Sequence, residues 1–339
     1  MLKIKTMSFM SLGSILFFSL VLTFSVTSSF AAEKIIRLGI IGLDTSHVTA
    51  FTEYINDPNN HTGCRVTAAY RGGSADIPNS ADRLDKFTDE LKNKHHIEIV
   101  DSIEKLCDMT DGILLESVDG RPHLEQVRPV FEAQKPVFID KPLAGNLADV
   151  LEIYHLAKTY NVPCWSSSAL RFSPGIIGMR KNEKVGQVTG CDAFGPCSIE
   201  PHHPDLYWYG IHGVEILFTI MGPGCKQVTR IHDNDTDMVV GLWQDGRIGS
   251  YRGIRKGATP FGAVVFGTKG VERSGPFAGY APLVKEIITF FQTGRAPVPM
   301  EETIEIYAFM SAADESKSAG GKPISIDEVI QQARQKYHH

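Results

Sequence analysis

A basic excess is the first thing missing from this chain. Among 339 residues, 34 Lys and Arg stand against 39 Asp and Glu, a formal net charge of −5. That balance offers nucleic acid no electrostatic footprint and says little beyond solubility. Cysteine is sparse: Cys64, Cys107, Cys164, Cys191, Cys197 and Cys225 are scattered and form no C-x-x-C pair. Buried free thiols are the expectation, in keeping with the usual burial of cysteine, and a Cys191–Cys197 bridge is the nearest alternative. No repeat and no low-complexity linker interrupts the sequence. The length suits two domains of ordinary size.

What is present begins with a targeting segment. Lys3 and Lys5 precede an almost wholly apolar stretch from Leu12 to Phe24, and Ser29-Phe30-Ala31 offers small residues for cleavage. Residues 1–31 are therefore expected to be a secretory signal peptide of the Sec type, placing the mature chain outside the cytoplasm, in the periplasm, with no membrane attachment. An uncleaved anchor is the alternative, since the stretch borders on the ~18 residues needed to span. No cysteine follows it and no Arg-Arg pair precedes it, which speaks against a lipoprotein and against twin-arginine export.

From there, short apolar runs alternate with helical patterns up to about Trp165. Strands are expected over Arg65–Tyr70, Ile97–Val100, Gly112–Glu116, Pro136–Ile139 and Val162–Trp165, and helices over Ser80–Lys94, Arg121–Ala133 and Asn146–Tyr160. Continuous apolar strands separated by helices predict an α/β fold with a Rossmann-like parallel sheet covered on both faces over 32–165. Beyond Ser166 the rhythm changes. Val185–Phe194 and Phe261–Phe266 read as strands, Tyr207–Met221 as a helix, and Met238–Arg252 as a hairpin around Asp245-Gly246. With terminal helices near Pro282–Thr293 and Glu301–Ser318, residues 166–339 predict a C-terminal α+β domain with a mostly antiparallel sheet.

The first strand, Ile35–Gly42, runs into Leu43-Asp44-Thr45-Ser46-His47. A dinucleotide-binding turn reads G-x-G-x-x-G there; its second glycine lets the backbone approach the pyrophosphate and its third lets helix and strand pack closely. Only Gly42 is kept, and Asp44 and His47 occupy the other two places. The strand that would supply an acidic ribose contact ends in Tyr70-Arg71-Gly72-Gly73, and the fourth ends in Leu115-Glu116-Ser117-Val118-Asp119. A carboxylate ~4 Å from a phosphate costs up to about 4 kcal/mol at an effective dielectric near 20.

Other motifs carry a resemblance. Asp140-Lys141-Pro142-Leu143, His123 in Arg121-Pro122-His123, Arg171-Phe172-Ser173-Pro174, Gly210-Ile211-His212-Gly213-Val214-Glu215, Gly267-Thr268-Lys269-Gly270 and Ser316-Lys317-Ser318-Ala319-Gly320 follow one another in an order that resembles the Gfo/Idh/MocA family of sugar-active oxidoreductases. The resemblance covers nearly all of the mature chain. It implies an NAD- or NADP-dependent enzyme acting on a sugar or glycoside in a cleft between two domains, and self-association through the open sheet. It also implies Lys141, His212 and His123 as catalytic residues. Gly42, Asp44, Thr45, Ser46, Arg71, Glu116, Asp140 and Lys141 would then line the cofactor site. Asp44 is equally readable as a helix cap, and His47 as a surface residue of the first turn or a ligand contact.

Upstream of His212, Glu200–Tyr209 is dense in polar and aromatic groups. Arg171, His202, His203, Tyr207, Trp208 and Tyr209 are the candidate sugar contacts. Two further readings follow from the altered turn and the export signal, since free nicotinamide nucleotides are expected to be scarce outside the cytoplasm. One is a lyase, hydratase or epimerase without nucleotide, in which Asp44, Glu116 and Asp119 would hold a divalent cation. His202, His203 and Asp205 form a second, weaker ligand set. The other is a carbohydrate-binding protein with no catalysis.

Overall fold

The computed structural model describes residues 35–337; the expected signal segment lies outside them. Strands β1 (Ile36–Ile41), β2 (Cys64–Tyr70), β3 (Glu98–Val100), β4 (Gly112–Leu115), β5 (Val137–Asp140) and β6 (Cys164–Ser167) alternate with helices α1 (His47–Asn56), α2 (Pro78–Asn93), α3 (Ile103–Met109), α4 (His123–Glu132) and α5 (Leu147–Thr159). All neighbours pair in parallel, in the order β3-β2-β1-β4-β5-β6. Residues 113–115 and 137–139 are fully buried, as continuous apolar strands require when helices cover both faces. Helix α3 was absent from the sequence reading because seven residues give too few turns for a periodic signal.

After a 3-10 turn at Ala169–Phe172 come α6 (Pro174–Ile177), β7 (Val188–Pro196), α7 (Asp205–Trp208), α8 (Ile211–Met221), β8 (Cys225–His232), β9 (Thr236–Trp243), β10 (Ile248–Ile254), β11 (Gly262–Gly267) and β12 (Val271–Arg273). Helices α9 (Ala281–Thr293) and α10 (Met300–Ser318), strand β13 (Ile324–Ser325) and helix α11 (Ile326–Gln335) complete the chain. The second sheet runs β12-β11-β7-β10-β9-β8-β13, antiparallel except between β7 and β10. The expected single helix over Tyr207–Met221 is two, broken at Tyr209-Gly210. Helix α8 lies so close to the sheet that a Cβ on Gly213 would sit 2.0 Å from the Tyr251 ring.

Helix α9 returns to the first sheet. Its buried stripe of Leu283, Ile287 and Phe290 shares a core with Leu38, Phe51 and Trp165, so the packing around β1–β6 is completed by residues far beyond position 165. Among the described residues no helix is long and apolar enough to cross a membrane.

All six cysteines are free and buried. Burial pushes the thiols up, Cys64, Cys107 and Cys197 to about 11 and Cys225 to about 12, away from the thiolate form that reacts. A thiol-specific reagent should therefore leave the native protein unlabelled and modify every cysteine after denaturation. Rapid labelling of any thiol in the native protein would contradict this burial.

Candidate functional site

The altered turn after β1 is held by its own hydrogen bonds. Gly42 has φ of 88° and its N–H donates to the Tyr70 carbonyl at 3.0 Å. A Cβ there would lie 2.4 Å from the Ser117 backbone, so glycine is required. The Asp44 carboxylate is fully buried and accepts from Ser80 Oγ at 2.6 Å and from the Val118 N–H at 3.0 Å. Burial raises its pKa, and the two hydrogen bonds hold it partly back. It does not cap α1: the cap position belongs to Ser46, which makes no side-chain capping bond. Asp44 is a tie between the β1, α2 and β4 loops.

More ties cross the same place. Ser74 Oγ donates to Asp119 at 2.6 Å, and the Arg121 guanidinium donates to Asp76 at 2.8 and 2.9 Å and to Asp119 at 2.8 Å. Despite burial, His203, Arg121 and Ser74 hold the Asp119 carboxyl well below the usual range. Gly72 closes on Gly42, whose Cα lies 3.2 Å from where a Gly72 Cβ would be. Strands β2 and β4 flank β1, so their loops are clasped to each other directly over its carboxyl end. In open α/β sheets that crevice is where a dinucleotide lies. The clasp lies across the path that the adenosine half of a dinucleotide would take, with the Asp76–Arg121 link partly exposed and Asp119 buried beneath it.

Replacing Asp44 by alanine should therefore cost about 1–3 kcal/mol, the penalty for leaving buried donors unpaired, without creating nicotinamide nucleotide binding, since the Ser74–Asp119 and Asp76–Arg121 links remain. Urea unfolding and calorimetric titration of NAD and NADP check both halves. Tight nucleotide binding by the unmodified protein would show that the clasp is no obstacle.

The open part of the crevice is a cavity of about 290 Å³ beside the clasp. Lys141 enters it from the end of β5, Thr45, Ser46 and His47 from the start of α1, Ser168–Leu170 from the segment after β6, and Trp208, Tyr209 and His212 from the α7–α8 corner. Phe261, Phe277 and Tyr280 add aromatic wall, and Asn79 and Arg83 of α2 complete the rim.

His47 Nδ1 lies 2.6 Å from Asp140 Oδ2, and both side chains are buried. Burial alone would raise the Asp140 carboxyl, but His47 and Lys141 outweigh it and bring it down to about 2. The carboxylate is thus the acceptor, Nδ1 carries the proton, and Nε2 is left as the basic atom. Phe51 and Tyr280 hold the ring, with centroids at 5.2 and 4.6 Å. Opposite, His212 Nδ1 lies 2.7 Å from Ser168 Oγ. Burial, then Lys141 and His47, push its pKa well below the ordinary value, so it is a neutral ring. Behind Asp140, Glu116 is fully buried with neither carboxyl oxygen partnered. Burial and then Asp140 raise its pKa well above normal, making it a neutral acid.

Of the residues singled out from the sequence, Lys141, His212, Thr45, Ser46, Trp208 and Tyr209 line this one cavity, and Asp140 stands directly behind its wall. The others are corrected. His123 is fully buried, its ring nitrogens 2.9 Å from the Ser117 carbonyl and 3.2 Å from that of Leu143; it braces two loops. Arg71 pairs with Asp85 at the surface, and Gly42, Asp44 and Glu116 are packed away from the cavity. Arg171 is buried between Glu215 and Glu302 at 2.6 and 2.7 Å. Tyr207 is buried on Tyr307 and Ser311. His202 sits on Glu200 in the open, and His203 on Asp119 at 3.1 Å. Sequence reasoning missed Arg83, Asn79, Ser168 and the aromatic wall, and it leaves His47 open between the surface and a ligand contact.

Neither expected metal set assembles. Asp205 is taken by Arg230 and Lys317, and Asp44 and Asp119 are committed to the bonds above. Among the described residues the group with ligand spacing is Glu53, Glu90 and His95, and there Lys94 already bonds both glutamates.

The family described as "Oxidoreductase family, NAD-binding Rossmann fold", GFO_IDH_MocA, matches residues 36–168. Among solved structures, a probable dehydrogenase from Thermotoga maritima is 20% identical, with TM-score 0.70 over 87% of this chain and 100% of its own. The scyllo-inositol dehydrogenase of Lactobacillus casei, solved with NAD(H) and scyllo-inositol, is 13% identical, with TM-score 0.71 over 87% and 100%. A putative myo-inositol dehydrogenase from Sinorhizobium meliloti is 15% identical, with TM-score 0.70 over 86% and 99%. These likenesses establish the fold. No curated protein matches the sequence.

Proposed function

We propose, from the premise that the Rossmann domain of this chain belongs to the Gfo/Idh/MocA oxidoreductase family, that the protein is an enzyme acting at a hydroxyl-bearing carbon of a polyhydroxylated small molecule. A sugar or sugar derivative is the substrate class in keeping with the inositol dehydrogenases that share its fold. The observation that carries the reading is the convergence of Lys141, His212 and the His47–Asp140 pair on one cavity.

Interconverting an alcohol and a carbonyl requires a proton to leave or return to oxygen while negative charge there is stabilised. His47 Nε2 takes the proton; Asp140 fixes the ring and stabilises the imidazolium that forms. The Lys141 ammonium stabilises the oxygen. Neutral His212, braced by Ser168, hydrogen-bonds a neighbouring hydroxyl. Stacking faces for a sugar ring come from Trp208, Tyr209 and Tyr280. In the family a nicotinamide dinucleotide accepts the hydride, so NAD or NADP dependence is the first form of this reading.

The clasp over β1 favours a second form, in which the same residues shuttle protons at carbon and oxygen without nucleotide, as an epimerase or lyase does. Hexoses, methyl glycosides and myo-inositol incubated in heavy water, with and without NAD or NADP, separate the two. Nucleotide-dependent absorbance of reduced nicotinamide supports the first. Deuterium uptake at carbon without nucleotide supports the second. A full panel without turnover, exchange or binding overturns the proposal and leaves a non-enzymatic role. We further propose that the chain works after export, as the N-terminal sequence suggests; N-terminal sequencing of the mature protein tests this, and an intact Met1 in the cytoplasm would refute it.

A further inference from the structure

We infer that the substrate carries a carboxylate: the cavity is built for a sugar acid, not a neutral sugar. The inference rests on the reading above of this cavity as the substrate site. Its lining includes two full cations, Lys141 and Arg83, and no carboxylate. Among the described residues neither cation makes an ion pair; Arg83 donates only to the neutral amide oxygen of Asn79, at 3.0 Å. Asp140, the residue before Lys141, is buried behind the wall with Oδ2 committed to His47. Helix α1 adds to the imbalance. It is ten residues long, has no acidic residue in its first turn, and begins at the cavity with Ser46, whose side chain makes no capping bond and meets Tyr280 instead. The His47 N–H reaches Thr45 Oγ1 at 3.4 Å, and the N–H groups after it, with the helix dipole, favour an anion there.

A neutral sugar leaves Arg83 unanswered, whereas a carboxylate meets its planar fork in the geometry such forks suit. Charge matching selects the kind of anion. Lys141 is engaged at the reacting oxygen, which leaves one guanidinium and one helix terminus for the recognition group. That suits a singly charged carboxylate better than a dianionic phosphoryl group. A dinucleotide pyrophosphate is the other anion that α1 could face, and the clasp lies on the path its adenosine half would take.

Titration calorimetry on the full mature chain tests this with D-glucuronate and D-galacturonate against D-glucose and D-galactose, plus glucose 6-phosphate, NAD and NADP as separate arms. At least one uronate should bind about tenfold tighter than its neutral parent, a ratio readily resolved as an affinity difference. That preference should shrink as salt rises, because the Arg83 end of the cavity is exposed. Arg83→Gln, a surface substitution that spares the core, should remove most of the preference and leave the neutral sugar's affinity within about twofold, as expected for one charge contact. Equal affinity for acid and parent sugar, or a preference that survives Arg83→Gln, overturns the inference while leaving the proposed function standing. Binding of the phosphate stronger than that of the uronates, or nucleotide binding that Arg83→Gln abolishes, assigns the cationic lining to that anion and overturns it too. Failure of every sugar and every acid to bind refutes the proposed function along with it.

Discussion

Turnover should fall by roughly 10²–10⁴ when His47 is replaced by glutamine, the usual worth of a positioned general base. The expectation follows from the geometry at the β5 end. A buried imidazole with Nδ1 2.6 Å from an ionised carboxylate has its tautomer fixed and its basic nitrogen left for substrate. Glutamine keeps polarity and approximate reach but exchanges no proton. Asp140→Asn should give a smaller loss and a changed pH profile, since the amide orients the ring without stabilising its cation.

The pair also sets an acid limit. The Asp140 carboxyl is held down to about 2, below the ~3.9 of an unperturbed aspartate. Its contribution to stability is therefore complete above pH ~4 and disappears as the pH falls through the folded value. Rates measured on any substrate found by the panel above, across pH and for both variants, decide the matter. A His47→Gln enzyme retaining most of its turnover would remove His47 from the mechanism.

Glu215→Ala should destabilise the fold by about 3–5 kcal/mol, the range for removing one partner of a buried ion pair. Arg171 is only 5% exposed and bridges Glu215 on α8 and Glu302 on α10. One of its nitrogens already lacks a partner, so the guanidinium has nothing in reserve. Burial raises the Glu215 carboxyl, and Arg171 opposes that rise; the pair is stable only as a pair. Denaturant unfolding of Glu215→Ala, and of Arg171→Met with both glutamates kept, measures the cost of each unpaired charge. A loss below ~1 kcal/mol for both would place this cluster with exposed ion pairs.

Arg171 also illustrates what a sequence leaves unsaid. In one dimension an arginine beside a cleft-forming segment reads as a ligand contact; only the packing of α8 and α10 shows two carboxylates waiting for it. The same holds for His203 and Tyr207, whose polar tips are spent inside the protein. By contrast, the strand–helix alternation, the second sheet's hairpin at Asp245-Gly246 and the positions of Lys141 and His212 were legible, because each depends on local pattern or on motifs that lie along the chain.

His47 was harder, for a specific reason. Its partner Asp140 is 93 positions away and belongs to β5, separated from β1 in the sheet by β4. A signal did exist: the turn that lacks its third glycine carries a histidine in that place, at the first residue of a helix facing the strand ends. For Asp44 the sequence leaves a cap and a site role equally open, because a capping aspartate and a loop-tying aspartate look alike until Ser80 is seen to approach.

The return of α9 to the first sheet has a consequence for how the chain must be made. During synthesis β1–β6 emerge long before the helix that covers Leu38, Phe51 and Trp165, so an apolar face stays uncovered until about residue 293 has appeared. Chains that expose such surface while incomplete are prone to aggregate. A fragment ending near residue 165 should therefore be insoluble, although it contains every strand of its sheet. Completion by a late element also delays the finished fold until nearly the whole chain is available.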